Sequence, residues 1–527
     1  MLKWLASAAL VGTLCAGPAL AQKSGGILRM YFQDNAPSGS IHEEATTSTA
    51  VPFMGVYNNL ILFDQQQARN SLETIVPDLA KSWSWNADKT QLNFKLHEGV
   101  KWHDGKPFTA KDVACTFDLV QGKGEQKLRK NPRASWYGNL DKVVANGDHD
   151  VTFHLKRPQP SFPILLASGY TPIYPCHVSP AQMRTRPIGT GPFKFVEFKQ
   201  NEHIKLTRNT DYFKKGKPYL DGVEFTIVTN RSTAILGFVS KRFDITAPYA
   251  VTIPLLKELK DQVPDAACTV SSMNNSTNLI VNKDNPPFDN PRLRQVLLLS
   301  LDRKAFVDIL NQGDAIIGGV MQPPSDGVWG LTPELFNQVK GYGADVAKSR
   351  AEAREIMKSL GYGPDKRLKL RVSTRNHLQY RDPAVILIDQ LKEVYIDAEL
   401  DLVDTSAWFA KVARKDYAVG LNTTGNGVDD PDQTFFEHYA CGSERNYTNY
   451  CNPEFEKLFV AQSSELDPEK RKRLVWDLDR KILEEGTRPI VMWNRAATCL
   501  HPHVKGYVSM VNSLYNGSRF EDIWLDK

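Results

Sequence analysis

The sequence predicts a mixed α/β protein of more than one domain, on three observations. Strand-like and helix-like hydrophobic patterns alternate along nearly the whole chain, as in layered sheets and helices. Without an N-terminal leader about 506 of the 527 residues remain, more than one ordinary hydrophobic core organises. The composition, 41% hydrophobic and 24% charged, excludes a disordered chain and fits a globular one.

The chain opens MLKWLASAALVGTLCAGPALAQ. Lys3 supplies a positive start, residues 4–16 an apolar run, and Ala19-Leu20-Ala21 an A-x-A cleavage site, so a secretory signal cut after Ala21 is expected. The run is too short for a membrane anchor. Leu14 is too bulky for the small residue that precedes a lipid-bearing cysteine, which leaves Cys15 without that role.

The elements follow in order. Leu92, Phe94 and Leu96 alternate as one face of a strand, and Asp104-Gly105 reads as a tight turn. Thr109 and Asp112 form a capping-box pattern before Val113, Phe117 and Val120 at helical spacing. Between residues 193 and 228, FKFVEF, HIKLT and VEFTIV read as three strands. Asn290-Pro291 is an N-cap with proline at the first helical position, opening PRLRQVLLLSL. Asp302 starts a helix through Leu310, with Gly313 suited to its end, and residues 351–360 form another closed by Gly361. KLRVST then reads as a strand, RNHLQYRD as a loop, PAVILIDQLKEVY as a helix and AELDLVD as a strand.

A net charge of +5, spread without basic blocks, argues against nucleic acid as the partner, because phosphate binding needs concentrated Lys and Arg. Export makes disulfides accessible. Cys441 and Cys451, in CGSERNYTNYC, are the best-placed pair, and closing such a loop adds about 2–3 kcal/mol if unstrained. Cys115, Cys176, Cys268 and Cys499 have no partner assignable from sequence. No C-x-x-C or nearby paired histidine completes a zinc site.

Three blocks carry a resemblance. They are LAKSWSWNADKTQLNFKLHEGVKWHDGKPFTAKDVACTFD at 79–118, PIGTGPFKFVEFKQNEHIKLTRNTDYFKKGKPYLDGVEFTIV at 187–228, and NKDNPPFDNPRLRQVLLLSLDRKAFVDIL at 282–310. Together they resemble the peptide/nickel-type extracytoplasmic solute-binding proteins of ABC importers, solute-binding family 5. The resemblance implies a two-lobed periplasmic binding protein fold, type II and cluster C-like, with the ligand enclosed between the lobes. It also implies residues 22–59, 186–274 and 491–527 in lobe I, a small subdomain at 60–185, and lobe II at 275–490. It further implies a periplasmic monomer that needs no cofactor and delivers a peptide-like solute to membrane permease subunits. Opines, other amino-acid conjugates and metal chelates are the alternative ligands on the same fold.

The most informative stretch is GNGVDDPDQTFF, residues 425–436. Asp430 fits a helix N-cap, Pro431 the first helical position, Asp432 the first turn, and Gln433 the end of a capping box. Asn426, Gly427 and Asp429 are left as ligand-binding candidates. In peptide-binding relatives an aspartate in this loop pairs with the ligand's α-amino group. Here there is one extra residue around Asp-Pro, so the equivalent position is Asn426 on one alignment and Gly427 on the other. A buried ammonium needs a charged partner. Either Asp429 takes the role, or the ligand is not an ordinary peptide with a free N-terminus.

Further candidates are Arg375 and His377, in the loop RNHLQYR, where the family places ligand-contacting side chains; a guanidinium there could clamp a carboxylate. Trp408 matches a family tryptophan that serves either a cleft wall or a core. Trp136 and Tyr137 are aromatic candidates from the small subdomain. Catalytic motifs are missing: Thr46 interrupts H-E-x-x-H after His42, no G-x-S-x-G occurs, and Gly189-Thr190-Gly191 lacks a phosphate-loop lysine. His501 and His503 alone are too few for a metal site. A secreted hydrolase is therefore the remote alternative.

Overall fold

Two sets of apolar side chains divide the molecule into two lobes. The computed structural model describes residues 22–248 and 250–527, so the leader and its cleavage site lie outside the described residues. One core gathers Leu28, Phe53, Phe94, Phe153, Phe225 and Leu525, and so draws on both ends of the chain. The other lobe holds a core around Leu279, Phe306, Leu387 and Val419 and another around Phe435, Phe459, Val475 and Trp493, with Ile317 packed against both.

The first lobe carries two four-stranded sheets. In one, Ile27–Phe32 lies parallel to Gly222–Ile227, followed by antiparallel His203–Arg208 and Phe193–Lys199. In the other, Ala80–Trp85, Gln91–Leu96, Asp150–Leu155 and Leu140–Ala145 run antiparallel. Leu92, Phe94 and Leu96 are fully buried there, as alternation demands. Their strand joins the main core of the lobe, so the segment around it is not packed as a free-standing unit.

The second lobe is organised on a five-stranded mixed sheet in the order Ile396–Val403, Leu368–Arg375, Val419–Gly425, Ala267–Val281 and Ile490–Leu500. The last two strands pass between the lobes. Their pairing shifts register between Ser272 and Ser276, where Asn274 adopts the left-handed backbone at φ 46°. A bulge of this kind bends a strand pair and increases its local twist. It lies between the two lobes.

Local signals were realised where they were purely local. The Asp112 carboxylate accepts the Thr109 N–H at 3.0 Å and starts the helix Ala110–Val120. Asn290 and Asp302 cap Pro291–Ser300 and Arg303–Asn311 through their side chains. Gly361, at φ 81°, follows a helix that begins earlier than expected, at Val346. RNHLQYRD is only partly a loop, because the next helix starts at Leu378 rather than at Pro383. The His377 ring accepts the Gln379 N–H at 3.3 Å and supplies the cap that moves the start forward. Three cysteine pairs lie within disulfide distance: Cys115–Cys176, Cys268–Cys499 and Cys441–Cys451. No helix among the described residues is long and apolar enough to cross a membrane.

Candidate functional site

A cavity of ≈ 170 Å³ lies between the lobes. The first lobe contributes Gln33, Asp34, Thr46–Ser48 and Tyr515, and the crossing strand contributes Met273 and Asn275. The second contributes Arg375, His377, Tyr380, Phe409, Asn422, Thr423, Gly425, Arg445 and Tyr447. Several of these residues sit where a strand ends. Arg375 closes Leu368–Arg375, and Asn422 to Gly425 end Val419–Gly425. Arg445 and Tyr447 lie on the loop pinned by Cys441–Cys451.

Arg375 bridges the lobes. Its guanidinium donates to Asp34 Oδ2 at 3.2 Å, to Tyr380 Oη at 2.7 Å and to Thr405 Oγ1 at 3.1 Å, and lies over the Tyr380 ring. Burial raises the Asp34 carboxyl above its usual range, and Arg375 opposes the rise. His377 is held neutral: burial lowers its pKa to about 4, and Arg375 and Arg231 add to the effect. The arrangement is a cleft between the lobes with a charged pair across it.

The profile of the bacterial extracellular solute-binding proteins, family 5, matches residues 74–446, well over half the chain. The chain belongs to that family. A curated relative, the oligopeptide-binding protein AppA of Bacillus subtilis, is 28% identical over 454 residues, covering 82% of this chain and 80% of its own. Among solved structures, Haemophilus influenzae OppA in complex with the peptide RPPGFSPFR superposes with TM-score 0.83 at 20% identity, covering 96% of this chain and 99% of that one. AgaA of A. tumefaciens R10, in complex with agropinic acid, superposes with TM-score 0.80 at 19% identity over 95% and 99%. The two-lobed fold of family 5 is thus shared across nearly the whole chain.

Against this family 5 frame, the acid stretch takes on a different task from the cavity wall. Asn426, Gly427 and Asp429 are not among the cavity-lining residues. Asn426 exchanges hydrogen bonds with Asn274, N–H to O at 2.9 Å and Nδ2 to O at 3.0 Å. The Gly427 carbonyl accepts from Asn516 at 2.7 Å, and Val428 is wholly buried in the core of the first lobe. Gly425 is required at its position, because a Cβ there would overlap the Tyr515 hydroxyl. Asp429 Oδ2 accepts the Val328 N–H at 2.9 Å, while its carbonyl accepts Trp329 Nε1 at 3.2 Å. Burial, with Asp430 adding to it, pushes the Asp429 carboxyl up to about 7, against the Val328 N–H and Arg69.

The cap residues do more than start a helix. Asp430 accepts the Asp432 N–H at 2.9 Å as the N-cap of Pro431–His438, and also takes Arg471 bidentately at 2.8 and 3.0 Å. Asp432 is fully buried and accepts from Gln159 at 2.7 Å, Ser161 at 2.6 Å, Gln462 at 2.7 Å and Ser463 at 2.9 Å. The expected capping box is replaced: Gln433 reaches past Asp430 and accepts the Val428 N–H at 2.7 Å.

The aromatic candidates are distributed differently from one another. Trp408 is 1% exposed and packs with Ile280, Val412 and Tyr417, while its neighbour Phe409 lines the cavity. Trp136 donates Nε1 to Glu437 Oε2 at 2.6 Å across the lobe boundary, and Tyr137 Oη meets Thr171 Oγ1 at 3.2 Å inside the first lobe. Arg375 and His377 do line the cavity. Sequence reasoning passed over Asp34, Thr423, Arg445 and Tyr515. For Arg445 a signal existed, a lone guanidinium inside the short disulfide loop.

Proposed function

We propose that this chain is the periplasmic receptor of an ABC importer that closes on a peptide-like solute and presents it to membrane permease subunits. It acts as a monomer without chemical change to the solute, after removal of its leader at Ala21. Lobe I comprises 22–59, 186–274 and 491–527, lobe II 275–490, and 60–185 decorates lobe I. The single observation that carries the reading is the cavity between two lobes, bridged by Asp34 and Arg375. Hinge closure about paired crossing strands is how such a geometry couples capture to presentation. The peptide class is supported by AppA and by OppA in complex with RPPGFSPFR.

A second reading, an opine or other amino-acid conjugate, is favoured by one observation. No carboxylate of the 425–429 loop faces the cavity, and AgaA in complex with agropinic acid shares the fold. Mass spectrometry of solute released from the purified protein by mild denaturation tests both. Intact peptide is expected; recovery of hydrolysed solute would instead point to a secreted hydrolase. Small-angle scattering should show compaction on adding the recovered solute, and its absence would sink the receptor reading.

A further inference from the structure

The polar groups around the cavity fall into two sets. The carboxylates are engaged: Asp34 by Arg375, and Glu437, just behind the wall, by Arg445, Trp136 and Gln433. Among the buried side-chain atoms of the lining residues, those without a protein partner are two obligate donors and one hydroxyl that can donate or accept. They are Gln33 Nε2, Thr423 Oγ1 and Arg445 Nε, all shielded from solvent by the surrounding protein. Buried donors left unpaired are costly, and the missing partner is an acceptor.

Charge points the same way. Arg445 lies within reach of two further buried guanidiniums. Arg488 bonds Thr424 Oγ1 at 3.1 Å and the Arg445 carbonyl at 3.5 Å and lies over the Tyr439 ring. Arg133 bonds the Ile41 and Glu44 carbonyls at 2.6 and 2.7 Å and lies over Tyr170, whose ring packs on Tyr515 of the cavity wall. Among the described residues, the carboxylate that faces Arg133 and Arg445 is Glu437, and Arg488 has aromatic rings and Arg445 around it. His438 between them is kept neutral by burial and by Arg445 and Arg488. Three buried cations are therefore grouped beside the cavity wall at Arg445, where Glu437 is ion-paired with Arg445 and no ion pair is made by Arg133 or Arg488 among the described residues. An uncompensated buried charge is stabilised by a counter-ion, and a guanidinium edge matches an oxyanion.

Resting on the receptor reading, we infer that the Thr423–Arg445 end of the cleft takes a carboxylate of the solute, and that no free ammonium is bound there. The preferred solute class is an acidic or N-acylated peptide or amino-acid conjugate rather than a neutral peptide with a free N-terminus.

Calorimetry on the dialysed protein at neutral pH with trialanine and N-succinyl-trialanine tests this, because succinylation exchanges the ammonium for a carboxylate. N-succinyl-trialanine should bind at least tenfold more tightly. Thr423→Val, which is nearly isosteric, should cut that preference threefold or more. Equal binding, or tighter binding of trialanine, overturns the inference while leaving the receptor reading in place. If neither probe binds but a peptide digest still compacts the protein in scattering, the inference again falls alone. If nothing compacts it, both fall.

Discussion

The helix start at 425–438 and the cavity wall at 375–380 and 441–451 make an instructive pair. The first is rich in carboxylates, the second in arginine and aromatic side chains. By composition the first looks like a site, yet each of its acids already has donors: Asp430 has Arg471, Asp432 has four neutral partners, and Glu437 has Arg445, Trp136 and Gln433. The wall looks like ordinary loop, yet it leaves Arg445 Nε without a partner. Unfilled hydrogen-bonding capacity does not by itself separate the two, since Asn426 Oδ1, Asp429 Oδ1 and Thr434 Oγ1 of the helix start are also buried without partners; what separates them is which side chains line the cavity.

The largest way to break the comparison is Asp432→Ala. It would strand Gln159, Ser161, Gln462 and Ser463, two from each side of the boundary, and deprive Arg471 of a neighbour at 3.4 Å. Removing one member of a buried polar cluster costs about 3–5 kcal/mol, so urea unfolding should show a loss on that scale. A loss below about 1 kcal/mol would mean that water replaces these bonds readily. Next comes Gly425→Ala, whose methyl group would wedge against the Tyr515 hydroxyl between the lobes. Overpacking of this kind costs about 1–3 kcal/mol, to be read as weaker solute binding, with partial rescue by Tyr515→Phe. Unchanged affinity would show that the loop moves aside. Third is Asp34→Asn, which keeps the shape but removes the charge facing Arg375. With Asp34 one-third exposed, an effect of about 1 kcal/mol is expected, seen as a larger radius of gyration in scattering before solute is added.

How much of this was legible in the sequence depended on range. The caps at Thr109, Asn290 and Asp302 involve residues two or three apart and were readable as such. The crossing strand Ala267–Val281 was not, because its buried stretch Ser272–Asn278 is mostly polar and carries no apolar alternation. Its side chains bond one another's backbone, Asn494 and the Asn426 carbonyl, although Asn274 Oδ1 is left without a partner. Asp34 was invisible as a site residue because its partner lies 341 positions away. Trp408 and Phe409 show the limit of resemblance: adjacent aromatics divide between core and cavity, and helix phase decides which goes where.

Asp429→Asn should be the mildest change, and its sign is informative. The folded carboxyl is pushed up to about 7 from an ordinary 3.8. Between those values the folded chain holds a proton that the unfolded chain has released, so this group's contribution to stability declines as pH rises from about 4 to 7. Asparagine is neutral throughout and can still accept the Val328 N–H. At pH 3.5, where the group is neutral in the folded chain and mostly so in the unfolded one, the variant should therefore lie within about 0.5 kcal/mol of the parent, and by pH 8 it should be the more stable of the two. Asp430, pushed up to about 6 by the same burial, acts with the same sign in both proteins and largely cancels in the difference. Urea midpoints at the two pH values measure the effect. If the variant instead loses stability as pH rises, Asp429 is ionised and paired in the folded protein, and the acid-rich stretch regains a claim to a charged ligand.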